Sequence, residues 1–436
     1  MSSAHNGGHR YDAIVVGSGM GGSIVARGLA RAGRDVLVLE AGIPETHLGT
    51  FADAARIYDG TEVTRTPKKS REGTILWRTL MAGGSTVVSC GNAVRCLERE
   101  LGQLGIDLSD EMSAMEDEMG TRPLAEDKLS DLGRHIRQGA ADLGFTFDLM
   151  PKMVDPGLCN GCGGCVLGCT QGAKWTAERP LAEAVAHGAE VLYGVEIDRA
   201  LRDNGHVTGV AGHSSRHGFE ARASTVVLAA GGLGTPPILV ASGIEGAGSG
   251  LFIDMLVNVY GLADERLRTV EPQMSLVDTE FHDEHGFLLA PYINYSRGVR
   301  MLESGAKAAT RSVAHTLGMM IKTSDDPVGR IEADGTVSKP VTPADQRRID
   351  DGVGVATEIL VAAGARRDSI IVTKPQGAHP GGTAAIGTIV DTDLQTAVDG
   401  LFVADASVLP RAPAMPPMVT IGALARRLGS MLASAA

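Results

Sequence analysis

Aromatic residues are scarce: two Trp, six Tyr and eight Phe make up 4% of the 436-residue chain, which argues against a sugar-stacking platform. An excess of positive charge is missing as well. Forty Lys and Arg stand against 52 Asp and Glu, a net charge of −12, so no nucleic-acid or anionic-membrane partner is expected. The opening segment MSSAHNGGHR has no apolar centre and no twin arginine; it reads as lacking an export signal, which makes a cytoplasmic location the expectation. Long apolar runs are absent too. Residues 224–244 carry no charge, but Gly231, Gly232, Gly234, Pro236 and Pro237 break the stretch. A buried strand followed by a turn suits it better than a membrane span.

Glycine is plentiful, with 57 residues, and 43% of the chain is hydrophobic, enough for a full core in two domains or one large composite. The glycines are most informative in residues 11–42, YDAIVVGSGMGGSIVARGLARAGRDVLVLEAG. Ala13–Val16 reads as a buried strand, Gly17, Gly19 and Gly22 form G-x-G-x-x-G where a helix begins, and Val36–Leu39 reads as a second strand ending at Glu40. Gly17 allows the turn, Gly19 lets a pyrophosphate approach the backbone, and Gly22 lets helix and strand pack closely. The helix N-terminus then faces the phosphates, and Glu40 is placed to accept the ribose hydroxyls. An acid there disfavours a 2′-phosphate, so FAD or NAD is expected rather than NADP. Ile24/Gly28 and Val25/Leu29 should face inward, Arg27 and Arg31 should face water, and Gly33 can close the helix.

The chain divides into five stretches: a first dinucleotide-binding part (8–96), a helical and Cys-rich segment (97–175), a second binding part (176–250), a β-rich α+β substrate domain (251–375) and a third binding part (376–436). Residues 43–80 are mixed and polar and could cover the cofactor. A helix is expected at 181–187, a strand at 190–197, and a hairpin at 205–229.

Cys159, Cys162, Cys165 and Cys169 give C-x2-C-x2-C-x3-C. The spacing resembles a ferredoxin-type iron–sulfur run, with Thr170 where proline commonly follows. Structural zinc usually takes two separated C-x2-C knuckles, and disulfides need an oxidising compartment. A cluster is therefore favoured over zinc or buried thiols. Cys169 would close a 4Fe–4S cluster, with 3Fe–4S as the alternative.

Four ordered blocks resemble the glucose–methanol–choline (GMC) flavoprotein oxidoreductases: the fingerprint; Gly83-Gly84-Ser85-Thr86 through Asn92 and Arg95; Ala230–Ile244; and His379 (HPGGTAAIG) through GLFVADASVLP to PPMVTIGALARR. The resemblance implies an α/β fold, with a discontinuous Rossmann-like FAD-binding domain beside the β-rich α+β domain. It implies FAD, with Gly17, Gly19 and Gly22 at the pyrophosphate, Glu40 at the adenosine ribose and the Ile197 backbone at adenine. Gly84, Ser85 and Asn92 would lie along the flavin, Asp405 near the pyrophosphate and ribityl chain, and the Met418 backbone at the pyrimidine end. Val94 stands where some relatives carry the histidine that binds FAD covalently, so dissociable FAD is expected.

His379 matches the family's catalytic base, whose chemistry needs a pKa near working pH. The usual second partner, His or Asn, aligns with Pro416, which has no side-chain donor or acceptor. Asn294, Tyr295 and His315 are candidates to replace it. The expected function is a dehydrogenase that oxidises a CH–OH group of a small-molecule substrate and passes electrons through an iron–sulfur cluster to an external acceptor. The alternatives are a reductase of C=C or C=O bonds and an electron-transfer flavoprotein without small-molecule turnover.

Overall fold

A computed structural model describes residues 9–59, 68–215 and 217–435. The polar N-terminus read for an export signal and the middle of the 43–80 cover lie partly outside these residues.

The fingerprint folds as β1 (Arg10–Val16), α1 (Met20–Arg31) and β2 (Val36–Glu40). Among the helices that follow are α2 (Ser109–Met119) and α3 (Asp131–Asp142), and then α4 (Glu178–Ala186) leads into β3 (Glu190–Tyr193) and β4 (Val195–Asp203). The expected single strand at 190–197 is broken because Gly194 turns the chain at φ +70°. An antiparallel hairpin of β5 (His206–Ser214) and β6 (His217–Leu228) follows. The second half of the chain builds β7 (Met255–Ala263), β8 (Phe287–Pro291), α5 (Arg297–Ser304), β9 (Thr316–Thr323), α6 (Pro343–Ala362), β10 (Ala365–Val372), β11 (Leu401–Val403) and α7 (Met418–Ser434).

The first sheet runs β3-β2-β1-β6-β5-β4, with β11 also on β6. Ile14 sits opposite Val226 on one side and Leu37 on the other in parallel register. Burial on both faces explains the unbroken apolar run of these strands. Ile14, Val15 and Leu37 have no exposed surface, and each such side chain contributes about 1.5–3 kcal/mol by its burial. Helix α1 packs on α7 through Gly28, where an added Cβ would stand 3.5 Å from the Gly429 Cα. Gly33, at φ +78°, ends α1 as expected.

Arg27 departs from the expectation. Instead of facing water it is buried, and its guanidinium donates to both oxygens of Glu118 at 2.8 and 2.7 Å. Glu118 comes from α2, which packs on α7 beside α1, so a distant acid covers the face that spacing alone assigned to solvent. Arg31 does face water, paired with Glu183 at 2.5 Å.

The second sheet is β8-β9-β7, extended by the short strands Gln376–Gly377 and Ile75–Leu76, with β10 also pairing β7. Helix α6 covers one face. It starts at a capping box, Thr342 with Asp345, and has Pro343 in its first turn. Along β9, Leu317, Met319 and Ile321 turn toward this covered core, while Met320 and Lys322 share the other face. That second face borders the first sheet's glycine turns, and the space between them is the cavity described next.

Candidate active site

One cavity of about 430 Å³ joins the carboxyl ends of β1 and β2 to the open face of the second sheet. Its glycine end carries Gly17, Gly19, Glu40, Gly84, Ser85, Asn92, Ile197, Asp405 and Met418. Of the sequence-derived cofactor residues, only Gly22 lies off the wall. It sits beneath the turn, where a Cβ would come 1.9 Å from the Gly17 carbonyl oxygen, so it serves helix–strand packing. Gly17 needs its glycine for a second reason, a φ of +102°. Gly19 differs from both. A Cβ there would meet no protein atom nearer than the Gly84 Cα at 4.0 Å, so the space it would fill belongs to the cavity.

Glu40 is buried. Its Oε2 accepts from the Ser18 N–H and hydroxyl, and its Oε1 accepts from the Gly42 N–H at 2.8 Å. Asp405 caps the turn after β11. Its Oδ2 accepts from the Gly231 N–H at 2.9 Å and the Thr235 hydroxyl at 2.5 Å, and burial raises its pKa. The Ser85 hydroxyl accepts from the Thr79 N–H. Asn92 receives Lys152 Nζ on its Oδ1 at 2.5 Å.

Helices α1 and α7 begin at Gly19 and Pro417 with no side-chain cap and no acidic residue in the first turn, and both open on the cavity. Uncapped N–H groups at a positive dipole end favour an anionic or electron-rich ligand. Among the described residues two further donors in the wall have no partner: Arg78 Nη1, and Gln376 Nε2, whose amide is oriented by Trp77 Nε1 donating to Oε1 at 2.7 Å. A glycine cradle, two uncapped helix ends and unpaired donors fit the expected dinucleotide.

The sheet end carries His379, Lys322, Asn294, Glu303, Tyr292 and Pro416 among apolar side chains of Leu256, Met274, Val299 and Met320. His379 follows Gln376–Gly377, and its backbone N–H donates to the Ile253 carbonyl. That contact sets the ring beside Asp254. Nδ1 lies 3.0 Å from Asp254 Oδ2 and 2.5 Å from Lys322 Nζ, and Lys322 Nζ is itself 3.0 Å from Asp254 Oδ2. The Asp254 and Lys322 side chains are 0% and 2% exposed, and His379 keeps 30%. Enclosure and the neighbouring Lys322 ammonium hold the His379 pKa down to about 4, with Asp254 pulling the other way.

Of the three candidates for the second partner, only Asn294 reaches the wall. Tyr295 instead donates to the Thr269 carbonyl at 2.6 Å, and His315 lies by the Ala263 carbonyl. Lys322, Asp254 and Glu303 were not identified from the sequence. A lone lysine in the apolar strand TLGMMIKT was the signal for the first.

The cysteine run is not drawn together around a metal position in this structure. Among the described residues no group of three or more His, Cys, Asp or Glu comes together to hold a metal ion. Cys162 is exposed, while Cys159, Cys165 and Cys169 are half-buried. The loop nevertheless touches the site, since Val166 lines the cavity and its carbonyl accepts from the Tyr58 hydroxyl at 2.7 Å. Lys174 holds it from behind, and Lys152 lies beside it. Lys174 Nζ donates to the Val87, Ser89 and Cys165 carbonyls, and Lys152 Nζ to those of Cys90 and Gln273.

Residues 11–255 and 299–425 match the two family models described as GMC oxidoreductase. An uncharacterized GMC-type oxidoreductase of Mycobacterium tuberculosis is 28% identical over 95% of this chain and 75% of its own length. An uncharacterized protein of Methanocaldococcus jannaschii is 28% identical over 96% and 98%. A long-chain-alcohol oxidase of Arabidopsis thaliana is 26% identical over 97% and 67%. Pyridoxine 4-oxidase from Mesorbium loti shares the fold, with a TM-score of 0.74 at 17% identity over 97% of this chain and 99% of that one. Among the described residues, no helix is long and apolar enough to cross a membrane.

Proposed function

Because the chain belongs to the GMC oxidoreductases, FAD enzymes acting on CH–OH donors, we propose that it oxidises an apolar alcohol with His379 receiving the hydroxyl proton. The observation that carries this reading is the shared cavity, onto which His379 and the two uncapped helix N-termini open together. Bound FAD supplies the hydride acceptor. In this reading Gly17, Gly19 and the α1 N-terminus hold the pyrophosphate, Glu40 the ribose and the Ile197 backbone the adenine. Gly84, Ser85 and Asn92 border the flavin, Asp405 the ribityl chain, and the Met418 N–H the pyrimidine end. Leu256, Met274, Val299 and Met320 exclude water around the reacting carbon, which favours an apolar chain over a sugar. The likeness to long-chain-alcohol oxidases points the same way. Pro416 offers no hydrogen bond, so the alcohol oxygen depends on His379 and its neighbours.

The test is anaerobic bleaching of the flavin absorbance by alcohols of increasing chain length, with the released cofactor identified. Bleaching that strengthens with chain length, with the matching carbonyl product, supports the reading. A protein that releases FAD yet is bleached by no alcohol overturns it.

A second reading makes the electron acceptor an external protein or dye, with an iron–sulfur cluster in the cysteine loop. The observation favouring it is that Lys152 and Lys174 are buried ammonium groups with no carboxylate at ion-pair distance among the described residues. Their charge would suit anionic thiolates at Cys159, Cys162, Cys165 and Cys169. Iron and acid-labile sulfide assays on anaerobically purified protein decide it: about four irons per chain support a 4Fe–4S cluster, three a 3Fe–4S cluster, and none removes the reading.

A further inference from the structure

We propose that Lys322 is the terminal proton acceptor of the reaction, reached through the ring of His379. This rests on the reading of His379 as the group that meets the substrate hydroxyl.

The geometry allows only certain hydrogen placements. Nδ1 of His379 has two partners, Lys322 Nζ at 2.5 Å and Asp254 Oδ2 at 3.0 Å. An ammonium at Lys322 has donors only, so it must donate to Nδ1, and the neutral ring then carries its hydrogen on Nε2. In that state Nε2 cannot accept a proton. A neutral Lys322 has a lone pair and lifts that constraint: Nδ1 can then carry the hydrogen, facing Lys322 Nζ and Asp254 Oδ2, and Nε2 presents a lone pair. The protonation state of Lys322 therefore sets whether His379 acts as base or acid at the substrate.

The oxidation step follows. It starts with Lys322 neutral, Asp254 ionised and the ring hydrogen on Nδ1. The alcohol O–H bond breaks and its proton goes to Nε2. The Nδ1–H bond breaks and that proton goes to Lys322 Nζ. The substrate carbon would be oxidised to the carbonyl, with bound FAD as the hydride acceptor. The triad changes from one negative charge to none, and no imidazolium forms. That outcome matters because the enclosed ring resists protonation, whereas an ammonium at Lys322 lies directly against Asp254. Asp254 is held ready by the Ala414 N–H, which donates to its Oδ1 at 2.9 Å.

Burial lowers the Lys322 pKa from its ordinary value, while the Asp254 carboxylate opposes that shift. The Cys96 and Cys90 thiols have raised pKa values of about 12 and 11, again from burial, and stay neutral. Asp325, behind Asp254, is paired with Lys339 at 3.0 Å.

The test is anaerobic single-turnover flavin reduction by a reactive alcohol across pH, with FAD content measured on each variant. The variants are Lys322→Arg, Lys322→Met and His379→Ala. Wild-type rate should rise with pH as Lys322 loses its proton. Lys322→Arg keeps a permanent cation, fixes the hydrogen on Nε2 and should reduce the rate at least 100-fold at every pH while FAD stays bound. Lys322→Met leaves His379 as a lone base without a neighbouring cation, so its slower rate should rise at lower pH than in wild type. A rate for Lys322→Arg within threefold of wild type, or an unmoved pH profile in Lys322→Met, overturns the proposal. If Lys322→Arg fails to load FAD, the Lys322→Met profile decides alone. Full activity in His379→Ala would instead remove the underlying reading of His379, whatever the lysine variants do.

Discussion

Ser18 donates twice to Oε2 of Glu40, through its backbone N–H at 2.8 Å and its hydroxyl at 2.7 Å. The same hydroxyl accepts from the Gly83 N–H at 3.2 Å, so one small side chain ties the first glycine turn to the end of β2 and to the second glycine-rich segment. Ser18→Ala removes a hydrogen bond to a charged group, worth about 1.5–3 kcal/mol when fully formed. We expect FAD affinity to fall about tenfold, measured by fluorescence titration of the apoprotein, with Glu40→Ala falling further.

The fingerprint glycines should separate into two classes. Gly19→Ala meets no close protein atom and has an ordinary φ of −71°, so the apoprotein should melt within a degree or two of wild type. Its methyl group enters the cavity, and FAD binding should drop at least 100-fold. Gly21→Ala is the opposite case, because its Cβ would fall 1.5 Å from the Ala404 carbonyl oxygen. That variant should lose about 3 kcal/mol or more, or fail to fold. Thermal melts of both apoproteins, set against FAD titrations, check the division.

Glu303 gives the apoprotein a defined pH dependence. Burial pushes its carboxyl up to about 7 from 4.5, with the Tyr260 hydroxyl 3.3 Å away. Between these values the folded state binds more protons than the unfolded state, so stability falls as pH rises. The loss has an upper bound of about 3 kcal/mol, complete just above pH 7. Glu303→Gln should flatten this part of the stability profile in urea unfolding at a series of pH values. An identical slope in both proteins would rule out the role.

Arg27 and Glu118 form a bidentate pair with 5% and 22% of their side chains exposed. Arg27→Met leaves Glu118 partly solvated, so the cost should be about 1–3 kcal/mol, less than for a fully buried pair. Chemical denaturation of Arg27→Met and of the double variant Arg27→Met with Glu118→Leu measures it. The double variant should recover part of the loss.

Much of the glycine-rich end of the cavity was legible in the sequence because its signals are local. Gly17, Gly19 and Gly22 sit on consecutive turns, Glu40 ends the next strand, and Asp405 ends another strand at its carboxyl end. The sheet end was less legible. Asp254, Lys322 and His379 are separated by 68 and 57 residues and meet through ladder register and one backbone contact, which no motif encodes. Arg27 was misread for the same reason, since Glu118 lies 91 residues away. The cysteine run, although local, is not drawn together around a metal position among the described residues. Lys152, Lys174 and Lys322, lone lysines with buried ammonium groups, carry a signal that periodicity alone treats as noise.

The most direct measurement is the rate of anaerobic flavin reduction by a saturating apolar alcohol in His379→Ala and wild type, each fully loaded with FAD. General-base catalysis contributes about 10²–10⁴-fold. The account predicts a loss of that size with FAD affinity unchanged. A rate within threefold of wild type would contradict it, and would leave the enclosed His379 as a structural side chain in a cavity that does its chemistry elsewhere.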